Sequence, residues 1–313
     1  FGPTFNETLY DGRQVPTSVG NRGFDFGSVG ADFVGQLDVM KTPDSSLSSG
    51  AIGATINIKY PKPFDNPGLR LSGSASGSKS TAASATANAS VLFSDTFFDD
   101  RFGILADYAY ADNKTRGNHV DIQGWEGGRG DGNSGLVPCQ LHGAGPCAKD
   151  SNGNIIGPPT IKDWFIQDYG VYQEHNDDKR IGGRLVLQAR PVDGLEITLD
   201  GNYSKETLTQ IQQGFSVWFN NSGLTEVMQA PDGTVTSFLQ PGSPTDFQAA
   251  INGQVVRDET LGLNVKWAPS EHTSYLFDAY TAQSKLNPGG QLSTLDADVG
   301  YGNNAANNAT IGV

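Results

Sequence analysis

The sequence predicts an all-β dominated fold made chiefly of long antiparallel strands, and three observations carry the prediction. The 313 residues include 40 Gly, with many Ser, Thr and Asn but only 2 Met, which suits strands and turns, and helix-favouring periodicity is scarce. Apolar and polar residues alternate strictly in several segments after Gly68. The connections between those segments are short at one end and long at the other.

The elements follow in chain order. Asn6 to Tyr10, Asp11-Gly12 and Arg13 to Val15 read as a hairpin, because Asp-Gly favours a tight two-residue turn. Phe33, Val34, Leu37, Val39 and Met40 supply a largely apolar strand that Pro43 ends by removing a ladder donor. Ser45 to Ser49 favour local side-chain hydrogen bonds, Gly50 and Gly53 permit positive φ or close approach, and Ile52, Ile56 and Ile58 share one strand parity.

Beyond Gly68, strands are expected near 68–78, 83–93, 101–112, 179–190, 194–206, 258–268 and 272–284. Leu195, Ile197, Leu199 and Tyr203 oppose Glu196, Thr198, Asp200 and Asn202, and Phe102, Ile104, Ala106, Tyr108 and Tyr110 lie opposite a face that includes Asp107. Such alternation fits a membrane strand, apolar toward lipid and polar toward a lumen, and equally a half-buried soluble sheet. The connections discriminate between them. Ser94–Asp100, 191–193 and 269–271 are short and lie on one side, whereas 113–178 and 208–257 are 66 and 50 residues long. One-sided long loops point to the first ~7 antiparallel strands of a transmembrane β-barrel. Phe97, Phe98, Phe102, Trp267 and Tyr275 at the short-turn end, with Tyr108, Tyr110 and Tyr203 toward the long loops, fit two interfacial aromatic bands.

Composition narrows the function. With 36% apolar residues and mean hydropathy −0.38, no run approaches the roughly 20 apolar residues of a membrane helix. A net charge of −13 without a basic stripe argues against nucleic acid. Cys139 and Cys147 are expected to form a disulfide contributing roughly 2.5 kcal/mol in an oxidising compartment. His119, His142, His175 and His272 lack metal-site spacing, and Asp150, Asn152 and Asn154 open a calcium loop that fails at Ile155 and Ile161. No nucleophile elbow, P-loop or zinc-protease motif occurs, so no enzyme, catalytic residue, metal or cofactor is expected.

The run from Asp38 to Ile58, with its Lys-Thr-Pro turn, Gly50, Gly53 and alternating strand, resembles the end of the plug domain of TonB-dependent outer-membrane receptors. The Asp-Gly turn and the Arg22-Gly23 step fit the same resemblance; Asp38 stands where the family often has Glu, and Ala54 where a second Gly is usual. The resemblance implies a partial plug domain (small mixed α/β) over 1–63, its motif residues being Asp38, Lys41, Pro43, Gly50, Gly53 and Asn57, and the N-terminal part of the barrel over 64–313. It further implies the outer membrane of a Gram-negative bacterium, its lipid, and TonB with its inner-membrane motor complex as partners, engaged through an N-terminal box that this sequence lacks. The ligand would be a siderophore or an oligosaccharide. Ligand contacts are expected from the plug apex and long loops: Arg22, Trp125, Trp164, Tyr169 and Trp218, with Phe165, Tyr172 and Phe219 as further aromatics. Opening at Phe1 and closing on Thr-Ile-Gly-Val, the chain reads as cut at both ends. A secreted β-rich adhesin or glycan-binding module is the alternative.

Overall fold

A computed structural model describes residues 3–17, 33–42, 52–81, 83–288 and 294–299. Arg22, Pro43 and Gly50 lie outside them. The described residues form strands and short 3-10 turns without an α-helix. The fold is all-β, and the helical part expected of the first domain is not among these residues. Two compact units result: Phe1–Thr115 with Asn176–Gln210 and Asn252–Thr294, and Arg116–His175 with Ile211–Ile251 and Leu295–Val313.

In the first unit, β1 (Glu7–Tyr10), β2 (Arg13–Gln14), β3 (Gln36–Met40) and β4 (Thr55–Lys59) form a small sheet ordered β2-β1-β4-β3. β1 and β4 run parallel, while β3 pairs antiparallel with β4. Asp11 and Gly12, at φ 50° and 85°, make the two-residue turn between β1 and β2. Positive φ at both positions matches the twist of the flanking strands. The Asn57 side chain secures that turn by accepting a hydrogen bond from the Gly12 N–H at 2.9 Å.

The large sheet contains β5 (Arg70–Ser78), β6 (Thr86–Phe97), β7 (Phe102–Asp121), β10 (Asp168–Ala189), β11 (Leu195–Trp218), β14 (Thr245–Ser270) and β15 (Thr273–Pro288), in the order β15-β14-β11-β10-β7-β6-β5. β16 (Thr294–Val299) also pairs with β14. Among the described residues the sheet is open, since β5 and β15 each have a single neighbour. Residues directly opposite in an antiparallel pair share a face. Leu71↔Phe93 and Val91↔Tyr108 therefore share one face across β5–β7, and Val265↔Phe277 and Trp267↔Tyr275 share one face of β14–β15; all of these but Val265 are exposed. On the other face Ser94, Asp107, Arg184, Gln188, Thr198 and Asp200 are buried, together with Leu105 and Val186.

The stretches 113–178 and 208–257, expected as long loops, are largely ordered. β7 runs on to Asp121, β10 starts at Asp168, β11 reaches Trp218 and β14 starts at Thr245. Between them lie two short antiparallel ribbons, β8 (Trp125–Gly128) with β9 (Asp163–Ile166), and β12 (Thr225–Gln229) with β13 (Val235–Leu239). Strands of four or five residues embedded in Gly- and Pro-rich sequence are too short to declare themselves by alternation. Their reward is a separate apolar core in the second unit, formed by Leu136, Phe165, Ile166, Val217, Phe219, Leu224, Val227, Val235 and Phe238. Phe219 and Phe238 meet edge to face at 4.8 Å.

Candidate functional site

The first unit joins its two sheets through buried charge. The hairpin turn places Arg13 so that its Nε and one terminal nitrogen donate to the two oxygens of Asp278 at 2.8 and 2.9 Å. Its other terminal nitrogen lies 2.8 Å from both Asp200 oxygens. Asn264 adds a 2.6 Å hydrogen bond to Asp278, and the guanidinium sits 5.9 Å from the Tyr280 ring centre. Burial alone would favour loss of the Arg13 proton, but the hydrogen bonds and charges of Asp278 and Asp200 outweigh it and raise its pKa. Room for this clamp comes from Gly262, where an added Cβ would fall on the guanidinium.

A second tether follows the small sheet. Arg184 is buried, donates to Asp107 at 3.2 Å and to the Pro61 carbonyl at 2.9 Å, and lies 4.7 Å from the Tyr60 ring centre. Gln188 accepts from the Phe64 N–H at 2.8 Å and donates to Thr198 at 3.1 Å. Arg190 covers the Phe64 ring at 4.1 Å. Tyr10 and Tyr60 meet edge to face at 5.6 Å, and burial pushes the Tyr60 phenol up to about 12. A cavity of about 80 Å³ remains beside them, with Asp107, Arg184, Asn202 and Asp258 among its lining residues, wide enough to hold water.

The described motif residues act mainly within the small sheet. Asp38 pairs with Lys59 at 2.7 Å, which with Gln36 holds its carboxyl below the usual range. Gly53 lies against Asn6, whose side chain accepts from the Ala54 N–H at 3.0 Å; a Cβ at position 53 would come 2.5 Å from the same oxygen. Lys41 is exposed.

In the second unit the four aromatics expected to meet ligand separate into two kinds. Tyr169 packs against the core, and Trp218 donates from Nε1 to Asp246 at 2.5 Å. Trp125 and Trp164 remain exposed. Phe165 is fully buried. A disulfide joins Cys139 to Cys147, with Cα atoms 5.2 Å apart. Beside it the buried Gln140 donates to the carbonyls of Asn221 and Leu224 at 2.6 and 2.7 Å and accepts from the Val137 N–H at 2.8 Å. His142 meets Glu226 at 2.6 Å, and His119 stacks on Tyr172 at 5.4 Å.

Sequence reading missed the clamp itself. Arg13 lies 187 residues from Asp200 and 265 from Asp278. The available sign was an acid on the polar parity of each strand, which is also what any solvated strand shows.

No family model and no curated protein matches the chain. Among solved structures it is similar to the siderophore receptor PirA from Acinetobacter baumannii, at 11% identity and TM-score 0.29, over 90% of this chain and 53% of that one. It is also similar to the ferric enterobactin receptor PfeA from Pseudomonas aeruginosa, in its R480A_Q482A form, at 12% identity and TM-score 0.29, over 95% and 50%. The pyoverdine outer membrane receptor FpvA from Pseudomonas aeruginosa PAO1 gives 13% identity and TM-score 0.27, over 95% and 52%. The chain spans about half the length of these proteins.

Proposed function

We propose that this chain is part of a TonB-dependent outer-membrane receptor that binds a scarce nutrient, a siderophore or an oligosaccharide, and imports it by energy-coupled movement of its plug. The observation that carries the reading is the inverted large sheet. Its exposed face is apolar and its covered face holds Arg184, Asp107, Gln188 and Asp200. A sheet that meets lipid outside and a filled lumen inside has this polarity, and one that meets water outside has the opposite. The small sheet held by Arg13 and Arg184 is then the plug. Force on it would act first on those two arginines. The domain limits 1–63 and 64–313, with TonB and its motor as partners, belong to the same proposal.

The test is fractionation of the full-length protein expressed in a Gram-negative host. It should stay with outer membranes through high-salt and alkaline washes and leave them only in detergent. Recovery as a soluble, folded monomer would favour the secreted adhesin and defeat the receptor.

A further inference from the structure

We infer that the outward face of the β8–β9 ribbon is a stacking platform for a neutral oligosaccharide; the inference rests on the receptor reading for the import of the bound sugar.

The ribbon's register puts the two indoles together. Trp125 pairs with Ile166 and Gly127 with Trp164, so these four share one face; Ile166, at the ribbon's end, is drawn into the core while both tryptophans stay exposed, and Phe165, paired with Glu126, enters the core from the other face. Diagonal partners in an antiparallel pair are about 7–8 Å apart. The two indoles can thus address successive rings of one linear chain. Each remains about half exposed, at 56% for Trp125 and 44% for Trp164. Gly127 is part of the platform, because a Cβ there would run into the Trp164 ring and displace it. Lys162, with Nζ 6.0 Å from the centre of that ring, offers hydrogen-bond donors at its rim.

Surface of this kind suits a pyranose, whose C–H face packs on an indole while its equatorial hydroxyls take hydrogen bonds at the edge. Charge disfavours the anionic ferric chelates. Over 116–175 and 211–251 the unit has ten Asp and Glu side chains against four Arg and Lys, and none of the four lies in the second stretch. Ferric iron wrapped in catecholates or hydroxycarboxylates carries net negative charge, which this field opposes, whereas a neutral sugar is indifferent to it.

The experiment titrates the full-length protein in detergent with linear hexaoses of glucose and of xylose, and separately with ferric enterobactin and ferric citrate, by calorimetry and tryptophan fluorescence. A hexaose should quench the fluorescence, with an affinity that changes less than about twofold between low and high salt. Trp125→Ala and Trp164→Ala should each weaken it about 5- to 10-fold, and Trp125→Phe much less. Unchanged melting temperatures would show that these variants keep the fold. Binding of the ferric chelates in place of the hexaoses, no hexaose binding, or hexaose binding indifferent to both alanine substitutions would overturn the assignment. Any of these leaves the receptor reading standing, since that fails only in the membrane fractionation.

Discussion

In the second unit Phe165, Leu136, Leu224 and Val227 are out of solvent, and Trp125 and Met228 are among the side chains left outside. In the first unit the buried groups include Arg184, Asp107, Gln188 and Asp200, whereas Leu71, Leu187, Leu261 and Phe277 are exposed. Both units are built chiefly from antiparallel strands. On the receptor reading proposed above, what differs is the medium each surface is built for. An apolar core releases water by closing on itself, and the second unit buries its large apolar side chains in this way. The first unit's outer face leaves its apolar side chains open, and its inner face holds charge-assisted hydrogen bonds. The contrast between the two burial patterns can be tested by putting the wrong residue on each surface.

The largest effect is expected in the second unit. Phe165→Ala should destabilise it by about 3–5 kcal/mol, the range for a buried aromatic truncated in a packed core. Trp125, Trp164 and Trp218, three of the four tryptophans, belong to this unit, so denaturant unfolding followed by fluorescence reports on it. The β signal in far-ultraviolet circular dichroism should persist after the fluorescence transition. A single shared transition would show that the two burial patterns do not stand apart. Next comes Leu199→Arg on the exposed face of β11. In liposomes it should cost about 2–4 kcal/mol, as a cation does on the lipid face of a barrel, whereas on a water-facing surface it would stay within about 0.5 kcal/mol. Urea unfolding of wild type and variant from vesicles distinguishes the two.

How much of this was legible in sequence follows from the range of each interaction. The alternation from Leu195 to Tyr203 shows its two faces because period two is a local property: Leu199 is exposed and Thr198 and Asp200 are buried. Asp11-Gly12 likewise carries its turn in two residues, and the structure shows both at positive φ. What could not be read was non-local. β8 meets β9 across a Gly- and Pro-rich stretch, with Gly128 opposite Asp163, and neither four-residue strand has room to show a period. Phe165 and Trp164 are adjacent and were alike as candidates for ligand stacking. The ribbon's register puts them on opposite faces, and Phe165 is buried while Trp164 stays exposed. Arg13 could be placed in a hairpin, but nothing in its neighbourhood names Asp200 or Asp278.

The smallest effect concerns Asp163, a polar exception inside the apolar unit. It is buried, and one carboxylate oxygen accepts from the Gly128 N–H at 2.8 Å while the other has no partner among the described residues. Burial raises its pKa above the ordinary value, and the Gly128 N–H opposes the rise only in part. The direction of the pH dependence follows from linkage. A carboxyl whose folded pKa is raised favours the folded state while it is protonated, below the unfolded value of about 3.9. That contribution is lost as pH climbs through the raised folded value, because the unfolded chain gives up its proton first. Asp163 should therefore take stability from the second unit as pH rises from about 4, and Asp163→Asn should remove that share of the pH dependence while keeping an acceptor for Gly128. Fluorescence-detected melting across this interval checks it. An equal slope in the variant would mean that the carboxyl stays charged in the folded unit, and that even this core tolerates a buried ion as the first unit does.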